Sequence, residues 1–214
     1  MNYTKPIETR SVLAALRSVI PARTVSLSEA KRIAELQASK FLALFEITEG
    51  SVPSEIVSEL PRVQVIYEAL PVSGTSHWNG THWIIALNNR ESSRRQRFTL
   101  MHEFKHILDH GRTHLLYTGD HLHTASEQAE LVANYFAGCV LLPKRFLKSA
   151  WGHGIQSPFK LAYHFDISPL AVTVRLAQTG LSTIHDRCVR PATDPTCQGR
   201  PLYQRSLPTE GIWP

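Results

Sequence analysis

Two histidines and a glutamate stand close together near the middle of the chain, in the order His102-Glu103-Phe104-Lys105-His106. On an α-helix, the two histidines of this HExxH motif lie about 40° apart around the axis and one turn apart along it. Both imidazoles can therefore reach one metal ion, and Glu103, about 100° from His102, can act on a water molecule beside it. The spacing predicts a metal centre with His102 and His106 as ligands and Glu103 as the catalytic base.

A hydrolytic zinc site also needs a third protein ligand and an open position for water. The next strongly apolar helical segment carries Glu127, Glu130 and Asn134 on one narrow polar stripe. A buried carboxylate needs a cation, because burying an unpaired charge costs several kcal/mol. Glu127 is the alternative ligand, but it lies near the helix start, where the helix dipole already stabilises a carboxylate. We therefore predict Glu130 as the third ligand and Asn134 as a residue that orients a ligand histidine.

Three further side chains are candidates for lining the cleft and for stabilising the oxyanion of a hydrolytic reaction. His110 lies one turn beyond His106, and Tyr117 and Tyr135 could each donate a hydroxyl hydrogen bond. The sequence alone does not rank these three. For HExxH alone, the simpler alternative is a pair of surface histidines beside a solvated glutamate.

The surrounding sequence predicts a mainly helical α+β fold with a small antiparallel sheet. Alternating apolar and polar residues indicate strands at about 63–67 and 82–87, and two or three strands are expected. Ser28 is the expected N-cap of the first helix, and Gly111 the expected stop of the motif helix. Helical periodicity covers about 28–46, 92–110, 125–142, 143–150, 158–165 and 168–178.

The chain of 214 residues, 43% of them hydrophobic and 19% charged, is long enough to bury a substantial core. It shows neither a signal peptide nor an apolar run of membrane-spanning length, so we expect a cytoplasmic protein. Its three cysteines have no zinc-ribbon or disulfide-framework spacing and are interpreted as reduced thiols. We predict an N-terminal extension at 1–27, a metallopeptidase domain at 28–182 and an irregular tail at 183–214.

The formal net charge of +5 raises the alternative of a DNA-binding regulator. Two short helices at 158–178 have the spacing of a helix-turn-helix. The second of them carries only Arg175 as a cation, whereas phosphate contacts need several. DNA binding is therefore not favoured, and we interpret the arginine cluster from Arg90 to Arg97 as a solvated basic surface.

Two segments resemble the ImmA/IrrE family of metallopeptidases. Residues 97–110, RFTLMHEFKHILDH, resemble the family's HExxH region, and residues 130–137, ELVANYFA, followed by Leu-Leu-Pro at 141–143, resemble its second motif. The strand at 84–88 resembles the edge strand that precedes the motif helix in that family. The similarity spans roughly residues 28 to 180.

This resemblance implies a zincin-like fold, a bound Zn²⁺ ion, Glu130 as the third ligand, and hydrolysis of a peptide bond in a protein partner. It further implies that the partner is a helix-turn-helix repressor or an antitoxin, as in transcription regulation or toxin–antitoxin systems. A regulator that holds zinc and sequesters its partner without cleavage is the alternative. Lys105 departs from the small residue usual in the family, and we expect its stem to snorkel past packed neighbours.

Overall fold

The computed structural model describes residues 9–181, and within them it is mainly helical with one small sheet, as predicted for an α+β protein. None of its helices combines the length and the apolar character that a membrane crossing requires. The helices are α1 (Thr9–Arg17), α2 (Leu27–Leu44), α3 (Ser93–Asp109), α4 (Thr113–Leu116), α5 (Ala125–Leu141), α6 (Lys144–Gly152), α7 (Pro158–Phe165) and α8 (Pro169–Thr179), and the strands are β1 (Val63–Glu68), β2 (Gly74–Trp78) and β3 (Trp83–Asn88).

The sheet has the strand order β1-β3-β2, with β3 parallel to β1 and antiparallel to β2. The prediction of a wholly antiparallel sheet is therefore wrong for the β1–β3 pair. The expectation that 84–88 forms an edge strand is also wrong, because β3 occupies the centre. Residues 84–87 are all buried, and a continuous apolar run of this kind is typical of a strand covered on both faces.

The edge strand β2, Gly-Thr-Ser-His-Trp, lies between the two strands predicted from the sequence and was not itself located there. Its first four residues are small or polar and only Trp78 is large and apolar, so no apolar period reveals it. Gly74 is required at its start, since a Cβ atom there would lie 2.5 Å from the Cγ2 atom of Thr99 on α3. The missing side chain lets β2 run close along the motif helix.

The motif helix α3 packs between the sheet and α5, and α2 packs against α5. Phe104 of α3 contacts Phe41 of α2 and Phe136 of α5, with ring centroids 6.0 and 6.5 Å apart. All three rings are fully buried. This shared aromatic core fixes the relative positions of the two helices that carry the predicted ligands.

Hydrogen-bonding caps set the helix ends close to the predicted positions. Ser92 caps α3, and Thr124 and Glu127 form a reciprocal capping box at the start of α5. The first turn of α2 is capped by Ser26 and not by Ser28, because the Oγ atom of Ser26 accepts the Glu29 amide at 3.3 Å. At the other end of α3, Gly111 adopts φ +77°, the left-handed conformation expected of a stop glycine.

Residues predicted to form an N-terminal extension include α1, whose Val12 and Leu16 are fully buried in the main core. Arg17, at the end of α1, donates hydrogen bonds to the carbonyls of Ile107 and Leu108 at 2.6 and 3.0 Å. The first helix therefore packs with the domain and caps the end of α3. The predicted tail at 183–214, with Cys188 and Cys197, lies outside the described residues, and the domain boundaries stay a prediction.

Two arginines of the cluster, Arg94 and Arg97, join α3 to other parts of the chain. The interpretation of the cluster as a solvated surface is therefore wrong for these two residues. Arg97 donates to the carbonyls of Val52 and Asp166 at 2.6 and 2.7 Å, and Arg94 donates to the Asp166 carboxylate at 3.0 Å. The hydrogen bonds that Arg94 and Arg97 donate to the Asp166 carboxylate, together with the charges of the two arginines, lower the pKa of Asp166. Asp166 lies in the turn between α7 and α8, which is thereby fixed to the motif helix.

Candidate metal centre

Three donor side chains from α3 and α5 converge at one point. The Nε2 atoms of His102 and His106 lie 3.1 Å apart. The Oε2 atom of Glu130 lies 3.2 Å from the His102 nitrogen, and its Oε1 atom lies 3.3 Å from the His106 nitrogen. The helical spacing of the motif places both imidazoles on one side of α3, and α5 crosses in front of them with Glu130. The three residues could together hold a metal ion.

His102 is oriented from behind by Asn134, which lies one turn beyond Glu130 on α5. The Nδ1 atom of His102 lies 3.0 Å from the Oδ1 atom of Asn134. Because an amide oxygen only accepts hydrogen bonds, the ring hydrogen belongs on Nδ1, and the Nε2 lone pair faces the other donors. The tautomer is thus the one that a metal ligand needs.

The second histidine is held in its neutral form. Burial lowers the pKa of His106, and the neighbouring His102 lowers it further, against the smaller opposing effects of Glu130 and Glu103. A neutral imidazole offers a lone pair, whereas an imidazolium does not. The electrostatics of the site therefore favour the ligand form of His106.

Glu103 is a buried carboxylate next to the convergent donors, with 8% of its surface exposed. Its Oε2 atom accepts a hydrogen bond from the Ser76 hydroxyl at 2.8 Å. Ser76 belongs to β2, the strand that the sequence did not reveal, so this partner could not be predicted from the motif. The hydrogen bond fixes the carboxylate and leaves Oε1 able to accept a proton.

These residues line an open cleft of about 550 Å³ between β2 and α5. Glu103, His106 and Glu130 lie on its lining together with His102 and Asn134. The opposite wall is the start of β2, and the end of the cleft is formed by the first turns of α3. The cleft is lined in addition by Ser73, Gly74, Thr75, Ser76, Arg95, Phe98 and Thr99.

Glu130 lies with the histidines, but the premise that it is buried on an apolar helix is wrong. Its side chain is 56% exposed, because the polar stripe of α5 faces the open cleft. The alternative ligand Glu127 is committed elsewhere, since its Oε2 atom accepts the Thr124 amide at 2.7 Å in the capping box. The dipole and cap at the helix start account for Glu127, as expected.

The three side chains predicted as possible cleft lining lie elsewhere. His110 packs edge-on against Trp83 with a centroid distance of 4.8 Å, and Tyr135 lies under the guanidinium of Arg175 at 5.3 Å. Tyr117 is buried beneath α3. Among the described residues, none of the three lines the cleft around the donors, because each ring is held by a neighbour outside it.

Behind the motif, Lys105 does not snorkel to solvent. It is fully buried and forms an ion pair with Asp109, one turn on along α3. Asp109 also accepts the Tyr117 hydroxyl at 2.5 Å, and burial together with the Asp109 charge raises the pKa of Tyr117. Burial lowers the pKa of Lys105, and Asp109 opposes that shift. The i,i+4 spacing of the two charges was the available sequence signal.

A family profile for the IrrE N-terminal-like domain, Peptidase_M78, matches residues 59–177, which is more than half of the 214-residue chain. The chain belongs to this family. The resemblance inferred from the two motifs is thereby confirmed, and the chain is peptidase-like. In this IrrE-family chain the matched segment contains the whole cleft, whereas α1 and α2 precede it.

The IrrE-family chain also shares its fold with a solved structure described as a Mycobacterium tuberculosis transcriptional regulator. The TM-score is 0.55 at 14% sequence identity, over 78% of this chain and 51% of the regulator's chain. An identity this low shows a common fold alone. The IrrE-family chain spans about half the length of that regulator. No protein of curated function matches it.

Proposed function

We propose that the protein is a zinc-dependent endopeptidase that cleaves a protein partner, with a repressor or antitoxin as the substrate. His102, His106 and Glu130 would hold the zinc ion, and Glu103 would be the general base. The convergence of the three donor side chains, with the two Nε2 atoms 3.1 Å apart and each within 3.3 Å of a Glu130 oxygen, is the observation that carries the proposal. An open cleft of about 550 Å³ adjoins them.

The donor set and its geometry support zinc. Ligands about 2.0–2.1 Å from a tetrahedral zinc ion lie about 3.3 Å from one another, close to the 3.1 Å between the two imidazole Nε2 atoms. Two imidazoles and one carboxylate leave a fourth position, and this combination is typical of catalytic zinc sites. Bound there, zinc would supply Lewis acidity that polarises a peptide carbonyl and makes water more acidic.

The chain's own residues supply the proton transfers. Glu103, held through Oε2 by Ser76, would accept a proton from the attacking water on Oε1 and deliver it to the leaving amine. Its burial keeps the carboxylate beside the donors and away from bulk water. Hydrolysis by this route needs no covalent intermediate with the protein.

The edge strand β2 supports a peptide substrate in extended form. Within the described sheet, β2 pairs with β3 on one side only, and its first residues line the cleft. An extended peptide can add to such an edge through main-chain hydrogen bonds. A substrate bound along β2 would pass directly in front of Glu103 and the three donors.

The basic residue of α8, on which the helix-turn-helix alternative depends, is buried. Arg175, the basic residue on α8, has 2% of its surface exposed and donates to the Leu142 carbonyl at 3.2 Å. Leu161, Phe165 and Val172 of the α7–α8 pair are buried in the core. These two helices therefore complete the domain, which supports a protein partner over DNA as the primary target.

Incubation of the purified protein with repressors or antitoxins encoded beside its gene tests the proposal. We expect one defined cut, located by the new N-terminus in mass spectrometry. Glu103→Gln should abolish the cut while it retains the metal, and Glu127→Gln, which keeps the capping box, is the matched control. Partner capture by the wild type without any cut would overturn the peptidase assignment in favour of sequestration.

A further inference from the structure

A second groove opens beside the metal cleft, between α5 and α8. This α5–α8 groove has a volume of about 350 Å³ and shares three residues, Arg95, Phe98 and Asn134, with the lining of the metal cleft. Asn134 lies one helical turn from Glu130, a separation of about 6 Å on the helix surface. The two depressions therefore adjoin each other, and the groove begins next to the predicted metal ligand.

Large aliphatic side chains line the groove without being covered by the described chain. Leu131 of α5 is 38% exposed, and Leu170 and Val174 of α8 are 72% and 49% exposed. They face one depression from two neighbouring helices. Apolar surface gathered in a concave site next to a catalytic cleft is typical of a side-chain binding pocket.

The charges around the groove are of one sign. Three cations at its rim, Lys31, Arg94 and Arg95, line it together with the buried Arg175, and its described lining contains no carboxylate. Two of them have partners outside the lining, since Arg94 pairs with Asp166 and Arg95 lies 3.7 Å from Glu91. For Lys31 no ion pair is found among the described residues. The groove therefore offers an apolar floor with a cationic rim, which favours an acidic ligand.

We infer that the α5–α8 groove is the specificity subsite of the proposed peptidase and binds a large aliphatic side chain from an acidic segment of the protein substrate. An extended peptide advances about 3.3 Å per residue, so this side chain lies within about three residues of the scissile bond. The inference rests on the proposed function for its link to cleavage. Binding in the groove, however, is measurable without any cleavage.

The contact residues of α8 favour a peptide over nucleic acid here. Leu170 and Val174 offer no hydrogen-bond donors to bases or phosphates, whereas an aliphatic side chain can bury against both. Carboxylates flanking that side chain would lie near Lys31 and Arg95. The substrate class is thus a segment with a Leu, Ile or Met residue flanked by Asp or Glu.

The test uses the full-length, zinc-loaded Glu103→Gln protein and a short fluorescein-labelled peptide with one central leucine flanked by aspartates and glutamates. Two matched peptides replace the leucine with serine or the acids with lysines. We expect fluorescence anisotropy to show that either replacement weakens binding by about tenfold or more. Leu170→Asp should abolish the preference for leucine, and Lys31→Glu the preference for acids.

Phe159→Asp is the matched control, because Phe159 is 74% exposed on α7 and lies outside the groove. It should bind like the parent protein. Equal binding of all three peptides, or binding unaffected by Leu170→Asp, would overturn the inference. Failure of the full chain to bind any of the three peptides would overturn it too.

A cleavage assay with the same peptides separates this inference from the proposed function. Leucine-dependent binding without cleavage by the wild-type protein would contradict the peptidase assignment and support the groove as a recognition site. Cleavage that is as fast in Leu170→Asp as in the wild type would support the peptidase assignment and contradict the role of the groove as a specificity subsite.

Discussion

The Nδ1 atom of His102 and the Oδ1 atom of Asn134 lie 3.0 Å apart and join the motif helix to α5 behind the convergent donors. This contact sets the tautomer of His102 and at the same time fixes the helix that carries Glu130. The two sequence motifs therefore make two contacts, one between the metal-ligand candidates and one between His102 and Asn134.

Replacing Asn134 with alanine should weaken zinc binding by about 10- to 100-fold, because His102 loses the partner that fixes its tautomer and ring orientation. Asn134→Asp should restore most of the affinity, since a carboxylate oxygen also accepts from Nδ1. Competition with a chromogenic zinc chelator measures both. Equal affinity of Asn134→Ala and the wild type would show that the contact does not orient the ligand.

Ser76→Ala should lower kcat for substrate cleavage by about tenfold, because Glu103 loses the hydrogen bond that positions it as a base. KM and zinc content should stay close to their wild-type values. His77→Ala, at the next position on β2, is exposed outside the cleft and serves as the control. A loss of zinc in Ser76→Ala would assign Ser76 to metal binding instead.

Asp109→Asn should destabilise the fold by about 3 kcal/mol or more, because it leaves the buried charge of Lys105 without its counter-ion. Adding Lys105→Met should recover most of the loss, since the double variant buries no charge. Urea unfolding of the two variants and the wild type measures the difference. A double variant as unstable as Asp109→Asn would mean that packing, and not the charge, dominates.

Asp166→Asn should reduce stability at neutral pH by about 1 kcal/mol, since the partly exposed carboxylate pairs with Arg94 and Arg97. Asparagine also tolerates the φ of 50° found there. The pKa of Asp166 is lowered by folding, so its contribution is complete above the ordinary value of 3.8 and is lost as pH falls through the folded value.

The comparison that checks this is urea unfolding of Asp166→Asn and wild type between neutral pH and pH ~3, because paired carboxylates lose their contribution on protonation. The two stability curves should converge at the acid end. Curves that stay parallel throughout would show that the Asp166 charge does not contribute.

The parts of the site that lie within one helix could be predicted from the sequence, because helical geometry alone places His102 beside His106. Glu130 was predicted from the polar stripe of α5, although this stripe faces a cleft and not the core. The Ser76–Glu103 hydrogen bond could not be predicted, since it joins α3 to a strand with no apolar period. Contacts between elements require the sheet order, which local patterns do not specify.

Burial of charge was the second feature that was not predicted from the sequence. A lysine inside a packed helix face is expected to extend to water, yet Lys105 remains buried because Asp109 and Tyr117 complete a polar cluster around it. Arg97 is similar, as its carbonyl partners at 52 and 166 lie far away in sequence. In both cases the partner that compensates the charge decides the position of the side chain.

Metal content tests the central claim most directly. Mass spectrometry of the wild type, Glu130→Gln and Glu103→Gln, each supplied with zinc and then dialysed, should find about one zinc per chain in the wild type and in Glu103→Gln. Glu130→Gln should retain far less. A wild type that binds no zinc, or a Glu130→Gln variant that binds it as tightly as the wild type, would contradict the assignment of His102, His106 and Glu130 as the metal ligands.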